Sequence, residues 1–324
     1  MQQVAQRLLL CVRAGDLLCR AGEKNSQATV FTLLRNADSA MYHAKRKGKN
    51  TFEFHTQSLT QVSVERMNME IKLRRAVEQK DLTLCFQPKI ETHSGRLAGA
   101  EALLRWDTLD LGSVPPAKFI PLAEETALII PIGEWVLKET CSQIQAWEAV
   151  GLPPVTVAVN VSARQFQHSN LLKFVSDLLE ATGLRPDCLE LELTESAVMP
   201  DIEKAQLTLQ KLSELGVKLS IDDFGTGYSS LSRLRWLPLN ALKIDRTFVK
   251  DLPTDENGSA ITLAIIAMAH RLGLRVVAEG VDKQAQFDFL NAHDCDEVQG
   301  YLLSPPPPAP QFAQFSLKTG DVHE

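Results

Sequence analysis

Two adjacent carboxylates, Asp222 and Asp223, follow a short apolar segment and precede a loop that contains two glycines, Gly225 and Gly227. Adjacent carboxylates at the end of a buried strand repel each other, and their removal from water is costly. Two interpretations of the pair are open. A solvated turn capped by aspartates would expose both charges to water, whereas a cation site would place metal ions between them. The residues at the other strand ends decide between these interpretations.

Short apolar segments alternate with longer helix-like segments from residue 81 onward. Eight strands with helices between most of them predict an α/β fold, a modified (β/α)8 TIM-like barrel, with an open doubly wound sheet as the alternative. Because only a short turn at residues 93–95 joins the first two strands, we expect the first strand to be antiparallel. The predicted strands are residues 82–90, 97–104, 155–161, 189–193, 217–221, 241–244, 274–278 and 297–301, and the predicted helices are residues 132–149, 170–182, 201–215, 259–272 and 283–292, with a last short helix after the prolines at 305–308.

Polar side chains stand at or near the C-terminal ends of seven of these strands. In a barrel those ends meet on one face, where active sites are built. Carboxylates that converge there require cations, and the absence of His and Cys from these positions favours Mg²⁺ or Mn²⁺ over zinc. A lysine and an arginine among them indicate a substrate with phosphate oxygens, and two metals with a phosphate point to phosphodiester hydrolysis. The polar residues at or near these strand ends are Glu101, Arg105, Asn160, Ser162, Glu192, Glu195, Asp222, Asp223, Lys243, Asp245, Glu279 and Gln299.

The motifs of this chain resemble those of EAL domains, the cyclic di-GMP phosphodiesterases. Glu-Ala-Leu at residues 101–103, followed by Arg105 and Trp106, is similar to the motif that names the family. The resemblance covers about residues 65–316, and it implies hydrolysis of cyclic di-GMP to linear 5′-pGpG. Further matching motifs, in order, are Phe-Gln-Pro-Lys at 86–89, Asn-Val-Ser at 160–162, Glu-Leu-Thr-Glu at 192–195, Asp-Asp-Phe-Gly-Thr-Gly-Tyr at 222–228, Leu-Lys-Ile-Asp at 242–245, Glu-Gly-Val at 279–281 and Gln-Gly-Tyr at 299–301.

The resemblance also implies a two-metal site for Mg²⁺ or Mn²⁺ at the strand ends. Glu279 is the implied general base, and Lys243 positions the attacking water or supports the metals, as does Gln299. Glu101 and Asp222 are implied to be catalytic as well as ligands. The full implied ligand set is Glu101, Asn160, Glu192, Asp222, Asp223 and Glu279.

Substrate contacts and one anchoring contact are implied in the same way. Glu195 is expected to hold the loop at residues 224–230, which would couple that loop to metal binding and to dimerisation. The resemblance also implies a homodimer, because members of the family commonly dimerise. The implied substrate-binding residues are Gln87, Arg105, Asp245 and Gln299.

Two positions depart from the family's pattern. Phe86 stands where the family usually has tyrosine, and Asp282 stands where it often has glutamate. If the Asp282 carboxylate reaches Lys243 or the attacking water, its shorter side chain would lower the rate. Neither change removes an implied metal ligand.

The alternative interpretation of the whole chain is a catalytically weak cyclic di-GMP receptor that signals through a partner. The complete ligand set favours the enzyme.

The N-terminal segment, residues 1–57, resembles a truncated GGDEF domain. Residues 36–50 are similar to the closing helix and turn of that family, and Arg13 and Asp16 match its R-x-x-D motif. Where the family's signature is expected, residues 22–26 read Gly-Glu-Lys-Asn-Ser, so we expect no cyclase activity. The segment is predicted to contain a helix at 30–47 and a strand at 51–54, followed by a connecting amphipathic helix at 58–80 and the EAL domain at 81–320.

The composition limits the class of protein, its partners and its compartment. The chain has 324 residues, 44% hydrophobic and 23% charged, with a formal net charge of −6, which is ordinary for a soluble globular protein and does not favour long nucleic acid as a partner. The six cysteines are widely spread without a C-x-x-C, which favours a reduced, cytoplasmic setting. No apolar segment is long enough to span a membrane, so no membrane contact is predicted for this chain, although a longer membrane-tethered protein could contain it.

Overall fold

The computed structural model describes residues 40, 41, 44, 51, 52, 54, 56–79, 81–108, 110, 112–168, 170–225 and 234–320. The chain divides into two compact units, Met1–Arg75 and Ala76–Glu324. In the first unit, the described residues 40, 41 and 44 are helical, and Phe54 lies in an isolated β-bridge instead of the predicted strand. Most of the predicted helix at 30–47, together with Arg13 and Asp16, lies outside the described residues. The truncated GGDEF domain therefore stays a hypothesis.

Helix α1 (Gln57–Gln79) lies where the connecting helix was predicted. Within the described part of the chain, no helix is both long enough and apolar enough to cross a membrane.

Eight strands of the second unit close into a barrel, as predicted. The order β1-β9-β8-β7-β6-β5-β4-β2 is completed by direct pairing of β1 with β2, and β3 extends β2 at the edge. Strand β1 is antiparallel to both of its neighbours, while β2 and β4 to β9 are parallel. The strands are β1 (Leu82–Glu91), β2 (Leu97–Thr108), β3 (Gly112–Val114), β4 (Thr156–Val161), β5 (Leu189–Thr194), β6 (Lys218–Phe224), β7 (Ala241–Ile244), β8 (Arg275–Glu279) and β9 (Glu297–Gln299).

Helices connect most of the parallel strands. The five helices predicted between the strands are all present, and each boundary agrees with the prediction to within three residues. The helices α4, α6 and α8 were missed because they have only four to six residues, too few to show a helical period. Helix α2 was missed because Pro121 lies in its interior, where proline disfavours a helix. The helices are α2 (Pro116–Glu125), α3 (Ile129–Ala149), α4 (Ala163–His168), α5 (Leu171–Thr182), α6 (Glu195–Val198), α7 (Ile202–Glu214), α8 (Arg246–Val249), α9 (Glu256–Arg271), α10 (Gln284–Ala292) and α11 (Ala309–Gly320).

Strand β9 ends two residues earlier than predicted because the residues that follow it pack closely against the loop after β8. A Cβ atom at Gly300 would lie only 2.1 Å from the Val281 carbonyl oxygen, so only glycine fits there. The Val281 amide donates to the Gln299 carbonyl, and the Leu302 amide donates to the Val281 carbonyl. The polypeptide therefore turns immediately after Gln299.

Strand β5 shows how the sequence separates the two sides of the barrel wall. Leu189, Leu191 and Leu193 are almost completely buried, and they alternate with Glu190 and Glu192. Side chains alternate between the two faces of a strand, and both glutamates contact lysines on other barrel strands. The leucines therefore face the surrounding helices, and the glutamates point into the barrel.

Candidate active site

Lys243 on β7 lies at the centre of a cluster of carboxylates inside the barrel. Its side chain is 0% exposed, although lysines are almost never fully buried unless paired. The Lys243 Nζ atom lies within ion-pair distance of four carboxylates from four different strands. Burial opposes the charge, but these carboxylates raise the pKa of Lys243 well above its usual range. The distances from Nζ are 2.5 Å to Glu279, 2.7 Å to Glu192, 3.4 Å to Glu101 and 3.4 Å to Asp222.

Glu101 on β2 accepts hydrogen bonds from two amides as well as from Lys243. Asn160 Nδ2 donates to its Oε1 at 2.6 Å, and Gln299 Nε2 donates to its Oε2 at 2.6 Å. Gln299 Nε2 also donates to Gln87 Oε1 at 3.0 Å, so Gln87 joins the cluster through Gln299. Burial raises the pKa of Glu101, and Lys243 opposes that effect.

Asp222, Asp223 and Glu279 form the acidic edge of the cluster. One carboxylate oxygen from each lies within 4.8 Å of the others. Asp223 has a left-handed backbone, with φ 55°, which interrupts the strand alternation that would turn two successive side chains apart. The Asp223 amide donates to Asp222 Oδ1 at 2.9 Å. The adjacent carboxylates therefore converge on one site.

The pKa values of this edge show a shortage of positive charge. Burial, with Asp222 and Glu101 as further causes, raises the pKa of Glu279 to about 8 despite Lys243. Burial and the charges of Asp222 and Asp245 raise the pKa of Asp223 to about 6. Burial and the neighbouring carboxylates thus disfavour the charged forms of Glu279 and Asp223, and a hard divalent cation would offset that cost. The cluster therefore fits such an ion.

Glu192 on β5 differs from its neighbours because two lysines hold it. Lys243 Nζ lies 2.7 Å from its Oε2, and Lys89 Nζ lies 2.7 Å from its Oε1. Burial alone would favour the neutral acid, but Lys243 and Lys89 lower the pKa of Glu192 to about 2. Lys89 belongs to the Phe-Gln-Pro-Lys motif at residues 86–89, but no role was predicted for it. Its position two residues after Gln87 on β1 was the available signal, because both side chains must face the barrel interior.

Of the remaining predicted substrate-binding residues, Asp245 borders the cluster, whereas Arg105 lies farther along β2. Asp245 caps α8 by accepting a hydrogen bond from the Thr247 amide at 2.9 Å, and it also interacts with Asp223. Arg105 lies four residues beyond Glu101 on β2, which is about 13 Å along the strand. Its Nη1 donates to the Leu104 carbonyl at 2.9 Å. Among the described residues, the structure records no ion pair between Arg105 and the carboxylates.

Both departures from the family's pattern point away from the cluster. Phe86 is 1% exposed, and its ring packs 4.9 Å from the Trp147 ring on α3, on the outer side of the barrel wall. Asp282 accepts a hydrogen bond from Arg246 Nη2 at 2.8 Å and another from the Tyr301 amide at 3.2 Å. Within the described ranges the structure records no contact between Asp282 and Lys243, so a lower rate through Lys243 is not supported. A contact between Asp282 and the attacking water stays a prediction.

Glu195, the predicted loop anchor, is the first residue of α6. It is 5% exposed, and its Oε2 has no hydrogen-bond partner among the residues that the structure describes. Residues 226–230 of the expected loop lie outside the described residues. The anchoring contact therefore stays a prediction.

The fold and the cluster together define a class of protein, a modified α/β barrel whose strand ends carry a carboxylate centre suited to divalent cations. Residues 70–306 match the family model described as EAL domain. Since this match covers most of the chain, the protein belongs to the EAL domain family.

Two curated relatives and one solved structure are similar to this chain. The chain is 46% identical over 284 residues to the bifunctional diguanylate cyclase/cyclic di-GMP phosphodiesterase MucR of Pseudomonas aeruginosa, covering 88% of this chain and 42% of MucR. It is 42% identical over 283 residues to the cyclic di-GMP phosphodiesterase NbdA of the same organism, covering 87% of this chain and 36% of NbdA. The chain thus spans less than half of each relative. The solved PaMucR phosphodiesterase in complex with c-di-GMP has 46% identity and a TM-score of 0.73, over 76% of this chain and 99% of that one.

Proposed function

We propose that this protein hydrolyses cyclic di-GMP to linear 5′-pGpG as a cyclic-guanylate-specific phosphodiesterase that depends on Mg²⁺ or Mn²⁺. The observation that carries the proposal is the convergence of four carboxylates on the buried Lys243 ammonium at the strand ends. The names of MucR and NbdA support the choice of substrate. Two metal ions would polarise the scissile phosphate and activate the attacking water.

We propose two divalent cations because the site is rich in negative charge and in oxygen donors. Asp222, Asp223 and Glu279 already bring oxygens within 4.8 Å of one another. Hard oxygen ligands without His or Cys suit Mg²⁺ or Mn²⁺. The proposed ligands are Glu101, Asn160, Glu192, Asp222, Asp223 and Glu279.

The remaining groups hold protons and position the substrate. Glu279 is 21% exposed at the edge of the cluster, and we propose that its carboxylate receives the proton of the attacking water. Lys243 donates to the surrounding carboxylates and keeps them in one arrangement. Gln299 and Gln87 are already linked by a hydrogen bond, and we propose that they contact the nucleotide together with Arg105 and Asp245.

A direct assay tests the function. The purified chain is incubated with cyclic di-GMP and either Mg²⁺ or Mn²⁺, and the products are separated by chromatography. We expect linear pGpG with either metal and none in the presence of a chelator. Binding of cyclic di-GMP without any pGpG would contradict the enzyme and favour a receptor.

Three wider properties follow as proposals. The protein acts in bacterial second-messenger signalling, it forms a homodimer, and it works in the cytoplasm. Light scattering in solution tests the dimer, and a monomeric mass over the concentration range of the assay would contradict it.

A further inference from the structure

A second layer of charged residues lies inside the barrel, below the carboxylate cluster. Glu190 precedes Glu192 by two residues on β5, so it lies about 7 Å closer to the start of that strand. Lys89 on β1 is 3% exposed, and its Nζ lies 3.3 Å from Glu190 Oε1. Most barrel interiors are filled by bulky apolar side chains. A buried ammonium in this place therefore calls for an explanation, and the proposed reaction steps do not use it.

Lys89 joins this lower layer to the cluster through Glu192. The two carboxylate oxygens of Glu192 are held separately, Oε1 by Lys89 and Oε2 by Lys243, each at 2.7 Å. A contact at one oxygen alone would leave the carboxylate free to rotate about its terminal bond, since that torsion is broad. Two contacts at opposite oxygens fix both the plane and the direction of the group.

The lower layer also holds Lys89 from the far side. Glu190 Oε1 accepts a hydrogen bond from Ser220 Oγ at 2.9 Å, and Glu190 Oε2 lies 3.7 Å from Arg275 Nη2. Arg275 in turn pairs with Glu297 on β9. Lys89 is thus placed by β5, β6, β8 and β9, and its position does not depend on the cluster alone.

We propose that Lys89 is a positioning residue for the metal centre, which holds Glu192 in the orientation that a metal ligand requires. The inference rests on the proposed metal-dependent function. Outer partners of metal ligands typically contribute about 10- to 100-fold in metal affinity. A lysine that only satisfied buried charge would affect folding and leave the affinity of the folded protein unchanged.

The test separates these two roles by measuring metal affinity directly. Lys89→Met alone would leave Glu190 and Glu192 buried without their shared cation, which is strongly destabilising. The main variant is therefore the double substitution Lys89→Met with Glu190→Gln, and the second variant is Lys89→Gln. Mg²⁺ and Mn²⁺ affinities are measured by calorimetric titration of protein shown to be folded by circular dichroism.

We expect a metal Kd about 10- to 100-fold weaker in both variants, with the KM for cyclic di-GMP nearly unchanged and kcat largely restored at saturating metal. Two matched controls, Glu190→Gln and Glu297→Gln, remove buried charges of the same layer. Glu190→Gln keeps a side-chain oxygen that can accept from Lys89, so the Lys89–Glu192 pair is retained in both controls. They should lower Tm without weakening metal binding. A wild-type metal Kd in either folded Lys89 variant would overturn the proposal. Because the readout is metal binding, the result stands even if the wild-type chain fails to hydrolyse cyclic di-GMP.

Discussion

Glu279 Oε1 lies 2.5 Å from Lys243 Nζ, yet the pKa of Glu279 rises to about 8. Burial is the main cause, and the nearby charges of Asp222 and Glu101 add to it. One ammonium shared among four carboxylates does not neutralise them. In the metal-free protein Glu279 therefore keeps its proton near neutral pH, and divalent metal must compete with that proton.

The first prediction concerns the pH dependence of metal-free stability. The ordinary pKa of Glu279 is 4.5 and its folded value is about 8, so between these values the folded protein binds more protons than the unfolded chain. Stability therefore falls as pH rises through this window. Asp223, shifted to about 6, adds to the lower part of the window. Thermal unfolding with a chelator at pH 6, 7 and 8 measures the effect.

Added metal should change this profile. Mg²⁺ or Mn²⁺ should raise Tm more at pH 8 than at pH 6, because fewer protons compete at the higher pH. Glu279→Gln is the matched control, since it keeps the size of the side chain but cannot titrate, and its metal-free profile should be flatter. A metal-free Tm that increases from pH 6 to pH 8 would contradict the assignment.

The second prediction concerns Glu101. Glu101→Ala should abolish measurable turnover, with kcat lowered by more than about 100-fold. The substitution removes a proposed metal ligand, and even an outer partner of a ligand contributes about 10- to 100-fold. It should also lower Tm, since Asn160 and Gln299 lose the acceptor of their 2.6 Å hydrogen bonds. Steady-state kinetics and thermal unfolding measure the two effects. Glu139→Ala, at an exposed position on α3, is the control and should change neither. A rate near that of the wild type would refute the role of Glu101.

The third prediction concerns Glu195, whose buried Oε2 has no partner in the described part of the chain. If its carboxylate anchors the loop at residues 224–230, Glu195→Ala should lower kcat and weaken metal binding, because the same loop follows Asp222 and Asp223. Glu195→Gln keeps the shape and one acceptor and should be milder. Kinetics at several metal concentrations check this. Full activity with unchanged metal affinity would rule out the anchor.

The fourth prediction concerns Phe86, which packs against Trp147 and lies 6.2 Å from the Phe312 ring. Because its ring faces the outer helices, Phe86→Tyr should leave kcat and KM within about twofold of the wild type. A buried hydroxyl without a hydrogen-bond partner destabilises the folded state by about 1–3 kcal/mol, so Tm should fall. A clear gain in turnover would show that the position communicates with the site.

The barrel could be predicted because its strands carry strong signals. In β5 the buried Leu189, Leu191 and Leu193 mark a strand, and the short connection between β1 and β2 required antiparallel pairing, which the structure confirms. The convergence of Glu101, Asn160, Glu192, Asp222 and Glu279 followed from the same reasoning, since parallel strands end on one face.

Other features could not be predicted, for physical reasons. The alternation of leucine with Glu190 and Glu192 is also typical of a strand with one solvated face, so it does not reveal that both glutamates are buried with Lys89. The left-handed backbone of Asp223 occurs at a residue other than glycine, where sequence indicates no positive φ. The pairing of Asp282 with Arg246 depends on the loop after β8 meeting the first turn of α8, which no local pattern records.

The reversed direction of β1 determines the end of the barrel at which the preceding chain joins it. In an ordinary α/β barrel every strand begins at the end opposite the active site, so a segment attached before the first strand joins far from the chemistry. Here β1 begins at Leu82 beside the mouth of the barrel, and Gln87 follows about 17 Å along the strand. The chain that precedes β1 therefore enters the barrel wall at the end where the parallel strands finish, which is the end that carries the carboxylate cluster.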